Sequence, residues 1–282
     1  MSAKSIKEYI YLDNLEVNSI LAQFEDGIPK VIEEIKQSTE TNTEGTSGKM
    51  STGAKGGFNL GAKGEMSLSS ELGTNNSDTN SEMYQEAIST VYHDYAVNIM
   101  TKELDKAKLL KTTTKQEEGT FVQLTSTFNI IDPISISSRL DDNAVSFMLS
   151  QDEDSDEDSI NAARNGFNVI MQFGELLNKF FPDSMLVSTK NALTIAEKNN
   201  FRMNESQIKS LVLANRKITV LGKIESIVHE DDLDINQITN KVAKYPAMFT
   251  TLMPRFSFFT LSMLDLIKKE DRLIKPIAIY FE

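Results

Sequence analysis

The stretch Phe121-Val-Gln-Leu-Thr-Ser-Thr-Phe-Asn-Ile-Ile131, followed at once by Asp132-Pro133, decides the reading of the fold. Val122, Leu124, Phe128 and Ile130 fall on one side of an extended chain, with Gln123, Thr125 and Asn129 on the other. Successive side chains of a strand point to opposite faces, so this alternation predicts one strand with a buried face. Pro133, which has no N–H to give a ladder, closes it.

Working outward, the chain mixes periods of 2 and 3.6. Downstream, a helix is expected over Ser138–Leu149 and a longer one over Ile160–Phe181, ending at Pro182. Met185–Ser188 and Leu193–Ala196 predict a hairpin around Lys190-Asn191. Ile218–Val228 is expected as a strand with Gly222 at a bulge, and Phe256–Lys268 as a helix. Ile274–Phe281 reads as a final strand, placed at a sheet edge because Pro276 cannot donate to a ladder. Upstream, Tyr9–Leu12 predicts a short strand, and Asp13 with Glu16 a capping box opening a helix through Val17, Ile20 and Leu21. Thr79 and Glu82 open a long helix to about Leu110, with Tyr84, Ile88, Val91, Tyr95 and Ile99 as its inward stripe. The expected class is α+β, a mixed or antiparallel sheet with amphipathic helices on one side. Residues 1–282 read as one domain, with a subdivision into 1–150 and 160–282 around the acidic loop 151–159 as the alternative.

Composition narrows the function classes. There is no Cys, which removes disulfides, thiolate nucleophiles and Cys-ligated metals, and only His93 and His229 are available for imidazole chemistry. The net charge of −12 argues against general nucleic-acid or anionic-membrane binding, both of which need a basic face. That charge is uneven. Six acids lie in Asp152–Asp158, and from Ser159 onward 16 basic residues face 13 acidic ones. The start of the chain has no secretory apolar run, and Ala247–Ile267 is interrupted by Pro254, Arg255 and Asp265, so neither a signal peptide nor a membrane span is expected. A reducing cytoplasm is the expected setting.

Four motifs approach known chemistry. Gly48-Lys-Met-Ser-Thr-Gly53-Ala54 has half of a phosphate loop, but Ala54 stands where the lysine belongs. Asp152, Asp154 and Asp156 have EF-hand spacing, yet Glu157 and Ala163 replace the turn glycine and the bidentate glutamate. As a metal site they are an alternative to a solvated spacer. Asp183, Glu197 and Lys198 approach the arrangement of metal-dependent nucleases, in which two carboxylates hold a metal and a lysine adjoins the attacking water. Adjacent Glu197 and Lys198 would point to opposite sides of a strand. His229 and the three acids after it read as a surface loop, and His93 as an exposed helix position.

The most unusual feature is a tandem octapeptide, Gly53-Ala-Lys-Gly-Gly-Phe-Asn-Leu60 and Gly61-Ala-Lys-Gly-Glu-Met-Ser-Leu68. Phe58, Leu60, Met66 and Leu68 share one face of an extended chain, and Lys55, Lys63 and Glu65 the other. A hairpin on the body's own core, an edge that pairs with another chain, and a strand of a membrane barrel all fit this pattern.

Tyr11-Leu-Asp, Val17-Asn-Ser-Ile-Leu-Ala-Gln23, Val220-Leu-Gly-Lys-Ile224 and Pro276-Ile-Ala-Ile-Tyr280 together resemble an uncharacterised bacterial family of about this size, a domain of unknown function. The resemblance spans essentially the whole chain. It implies an intracellular single-domain protein, with no activity and no catalytic residues to carry over. The reading is a non-enzymatic protein working through a protein partner or a homo-oligomer, in a setting such as phage defence, with no cofactor. A metal-dependent nuclease and a membrane-acting effector using residues 50–72 are the alternatives.

Overall fold

The structure is a computed structural model that describes residues 6–24, 78–138, 146, 157–213, 215–234, 236, 244 and 249–282. The chain divides into two compact units, one of residues 1–17 and 101–282 and one of residues 18–100. The described strands are β1 Glu8–Leu12, β2 Leu110–Lys111, β3 Phe121–Ser126, β4 Phe128–Ile131, β5 Ser184–Thr189, β6 Ala192–Glu197, β7 Ile218–Ile227 and β8 Arg272–Phe281. The described α-helices are α1 Asn14–Leu21, α2 Asp78–Lys106, α3 Pro133–Ser138, α4 Glu157–Phe180, α5 Glu205–Leu211 and α6 Phe249–Met263.

The class is α+β with a mixed sheet, as expected. The strand expected over Phe121–Ile131 is instead two strands separated by Thr127, and in the sheet order β2-β3-β7-β8-β6-β5-β4 one ends the sheet while the other stands next to its far end, inside only the two-residue β2. Ser126 pairs with Ile218 of β7, whereas Phe128 pairs with Thr189 of β5. One residue cannot bridge two distant edges, since consecutive Cα atoms are about 3.8 Å apart. The sheet therefore curls until its ends meet at Thr127. Its ring segments, numbered in chain order from Phe121–Ile131, run one-two-three-five-four and back to one. Only the third and fifth, β6 and β8, are parallel. This is the connectivity of a five-stranded Greek-key barrel of OB type, with α5 between the third and fourth strands.

Inward-facing residues form one core: Val122, Leu124, Ile130, Met185, Val187, Val220, Ile224, Ile279 and Phe281 among others, closed at one end by Ile208 of α5. Fully burying each such side chain is worth about 1.5–3 kcal/mol. Leu186, Leu193 and Leu273 point the other way, to a second core made with Leu177 of α4, Leu261 of α6 and Ile267. The two long connections, between β4 and β5 and between β7 and β8, thus each supply a helix to the outer face of β5 and β6.

Strand β8 is not at an edge, contrary to the expectation from Pro276. It pairs with β7 along one side and is shared on the other between β6, at Arg272–Ile274, and β1, at Ala278–Phe281. Pro276 falls in the interval between those partners, so its missing N–H interrupts neither ladder. Opposite it stands Gly222, at the register shift where Leu221 meets Ala278 and Gly222 meets Pro276, leaving Ile277 as the extra residue. The bulge expected at Gly222 is present.

Other expectations need smaller adjustments. The β5–β6 hairpin turns at Lys190-Asn191, with Asn191 in the left-handed region at φ 64°. Asp13 caps α1 through Glu16 N–H at 2.9 Å, but the Glu16 carboxylate turns away to Lys275 Nζ at 2.6 Å, so the box is half formed. On α2 the described buried residues are Tyr92, Ala96, Val97, Ile99, Met100 and Leu104, while Tyr95 and His93 are half-buried. Helix α6 begins earlier than expected, at Phe249, with Pro254 inside it. The helix expected over Ser138–Leu149 lies almost wholly outside the described residues, as do the octapeptide region and the acids Asp152, Asp154 and Asp156.

A Cβ at residue 222 would stand 2.4 Å from the Lys275 carbonyl oxygen and 2.6 Å from Ile274 Cγ2. One of those atoms is backbone and cannot swing aside. Gly222→Ala is therefore expected to cost about 1–3 kcal/mol as overpacking, read as a lowered urea midpoint with an unchanged slope. A midpoint equal to wild type would show that the β7–β8 contact yields.

Candidate functional site

Asp132 ends β4 and opens α3. Pro133 suits the first helical position because its missing N–H would be unpaired there in any case. The Asp132 carboxylate accepts from Ile134 N–H at 3.2 Å, Ser135 Oγ at 2.7 Å and Lys198 Nζ at 2.7 Å. Lys198 lies in the 3-10 turn Lys198–Asn200 that follows β6. The pair is enclosed, with side-chain exposures of 17% for Lys198 and 6% for Asp132. Burial alone would raise the Asp132 pKa, but the hydrogen bonds from Lys198 and Ser135 outweigh it and hold the carboxyl below its ordinary value.

Beside the pair opens a cleft of about 340 Å³ lined by Ile130, Ile136, Ile170, Met185, Ile208 and Lys209. Its wall is apolar, and its polar groups are already engaged. Lys198 Nζ is committed to Asp132, and Lys209 lies 4.0 Å from Glu205. An ionised carboxylate with three donors is neither a proton donor nor a free base. The arrangement fastens the connection after β4 to the end of β6.

The structure brings the backbones of Asp183, Glu197 and Lys198 together at one end of the β5–β6 ladder, but the Lys198 side chain is engaged elsewhere. Lys198 goes to Asp132, and its backbone N–H donates to the Asp183 carbonyl at 2.8 Å. Asp183 stands in the turn before β5 at φ 50°, and its side chain and that of Glu197 are exposed. Among the described residues, no group of three or more His, Asp or Glu side chains is placed to hold a metal ion. His229 precedes the turn Glu230–Asp232 and is exposed, with its N–H on Asp232 at 3.1 Å. His93 has an edge contact with Tyr92 at 5.4 Å. Phe58, Leu60, Met66 and Leu68 lie outside the described residues. Sequence reasoning missed Asp132, although Asp132-Pro133-x-Ser135 is a helix-start pattern legible beside the strand.

A second arrangement surrounds the start of β1 and the end of β8. Lys7 Nζ stands 4.6 Å above the Tyr280 ring, the Arg202 guanidinium 5.6 Å above Tyr9, and that of Arg216 3.9 Å above Phe281. Arg216 also bonds Glu8 at 3.0 Å. Burial pushes the Tyr280 hydroxyl pKa up despite its bond from Gln123, and raises that of Tyr11 to about 12.

Because the Asp132 pKa is lower folded than unfolded, the pair contributes stability above the unfolded value near 3.9, lost as pH falls through the folded value. Lys198→Met leaves a buried carboxylate without its ammonium and is expected to cost about 3–5 kcal/mol at pH 7. Urea unfolding at pH 7 and in the acid range checks both effects, since the variant must also lose that acid-side decline. A variant as stable as wild type, with an unaltered pH profile, would remove the pair from the account.

No helix among the described residues is long and apolar enough to cross a membrane. No curated protein and no solved structure matches the chain. A family model described as a domain of unknown function, DUF6414, matches residues 6–280. With the match running across the barrel and both of its long connections, the chain belongs to that family.

Proposed function

We propose that this protein is a non-enzymatic, protein-contacting module in which the barrel is the scaffold and the amphipathic segment 50–72 makes the contact. The observation that supports this is the closure of the ring. Strands β3 to β8 complete a barrel whose cores are filled by residues of 1–17 and 101–282. The octapeptide repeat belongs by sequence to the other unit, and its apolar row Phe58, Leu60, Met66 and Leu68 is the part of the chain whose alternation suits a contact of its own. An alternating segment of that kind pairs readily with another strand, and a second copy of the chain is the simplest partner. A bacterial cytoplasm and a phage-defence setting belong to the same proposal and rest on the family resemblance alone.

The outer face of β5 and β6 adds support. In an OB-type barrel this is the face that takes oligonucleotides, together with the connections flanking it. Here the same connections lay Leu177 and Leu261 over Leu186 and Leu193, so that surface is spent on the protein's own core.

Size-exclusion chromatography with light scattering tests the reading. The full chain is expected to self-associate in a concentration-dependent way, and a chain lacking residues 50–72 to run as a monomer with its cooperative unfolding intact. A full chain that stays monomeric at every concentration, or an oligomer that survives the deletion, would defeat it. Liposome leakage that needs the segment would favour the membrane-acting alternative instead.

A further inference from the structure

Within a chain of net charge −12, the interval Lys190–Lys223 carries seven basic residues against two acidic ones, a local +5. The fold gathers part of this charge at one place. Lys190 N–H reaches Ser126 Oγ at 3.4 Å, and Ser126 pairs with Ile218, the residue after Lys217. Arg216 is tied to Glu8 at 3.0 Å, and the Arg202 N–H to the Ile10 carbonyl at 2.9 Å. Lys7 precedes Glu8. The start of β1, the end of β8 and the start of β7 therefore bring Lys7, Arg202, Arg216 and Lys217 to one end of the barrel, with Glu8 and Glu282 as the acids beside them, and Lys190 flanks this group through Ser126, from a turn whose Asn191 carbonyl accepts from Arg272 N–H at the start of β8. Lys190, Arg202, Arg216 and Lys217 are exposed.

Two of these cations are organised in advance. The guanidinium groups of Arg202 and Arg216 lie over the rings of Tyr9 and Phe281, which fixes their planes and lowers the entropy lost when their N–H edges meet an anion. Several cations spread around a rim, rather than converging on one point, suit a ligand with evenly repeated charges. We propose that this barrel end binds the phosphodiester backbone of a single-stranded nucleic acid. The site is distinct from the β5–β6 face, and the proposal is independent of the self-association reading. Contact is through phosphates, because Tyr9, Tyr280 and Phe281 are buried and no base can stack on them. Binding is therefore expected to be sequence-tolerant and strongly salt-dependent.

The probe is a fluorescein-labelled oligothymidylate titrated with the full chain by anisotropy. About three neutralised phosphates give a slope of log affinity against log salt near −2, at roughly 0.7 per phosphate for single strands. Lys190→Glu with Lys217→Glu is expected to weaken binding at least about tenfold at about 50 mM salt, with an unchanged thermal midpoint because both side chains are exposed. Arg202→Gln, which keeps the fold's backbone bond to Ile10, is expected to weaken it less. No anisotropy change at low salt would overturn the proposal, as would binding that the double charge reversal leaves intact. Displacement of the oligonucleotide by polyglutamate at equal charge concentration would also overturn it, by showing an acidic-polypeptide site.

Discussion

The close approach of β7 to β8 at Gly222 is the constraint on which the barrel depends. Strand β8 must serve three neighbours, and it does so only because its two sides are offset. β7 runs along one side, while β6 and β1 divide the other. The bulge at Ile277 turns the second half of β8 so that Ile279 and Phe281 stay in the same core as Ile274. A bulge strengthens local twist, and twist is what a short sheet needs to close. With Gly222 absent from that contact, the Lys275 backbone would be held away and the curl opened. Pro276 then has a positive part. It occupies the interval that no neighbouring ladder on the divided side requires.

From that closure the second layer follows. A ring of five segments has an inside, filled by Val, Ile and Phe, and an outside that must be either polar or covered. On β5 and β6 the outside is Leu186, Leu193 and Ile195, which water would not tolerate as a patch. The connections after β4 and β7 are correspondingly long and carry α4 and α6 onto it. The Asp132–Lys198 bond secures the first of these connections at its root, beside the end of β6. Such a buried pair has its worth in position more than in net energy, since desolvation offsets most of the Coulombic gain.

Local elements were legible because they rest on local physics. The β5–β6 hairpin could be placed from Lys190-Asn191, where Asn tolerates a positive φ, and the bulge from a glycine within an apolar strand. The errors share one cause. Alternation through Phe121–Ile131 is unbroken at Thr127, so nothing in the periodicity reveals that the two halves join different neighbours. The rule that confines proline to a sheet edge assumes a uniform ladder, and β8 has no uniform ladder. The candidate site fared similarly. Sequence proximity groups Lys198 with Glu197 and Asp183, whereas the carboxylate its ammonium meets, Asp132, lies 66 positions away.

Charge shows the same gap between a sum and a place. A total of −12 was sound evidence against a wholly basic surface, but electrostatic attraction acts over about a Debye length, some 10 Å at moderate salt. Within that radius a ligand meets individual groups, not the total. Acids grouped in Asp152–Asp158 and bases grouped in Lys190–Lys223 are separate in sequence, and an anion at the rim of β1 and β7 is met by Lys217, Arg216 and Lys190. The net figure therefore bears on solubility and on long-range repulsion, and the local one on contact. A ligand that binds there must first approach against the field of the whole chain, which slows association and leaves the dissociation of the bound phosphates governed by the rim itself.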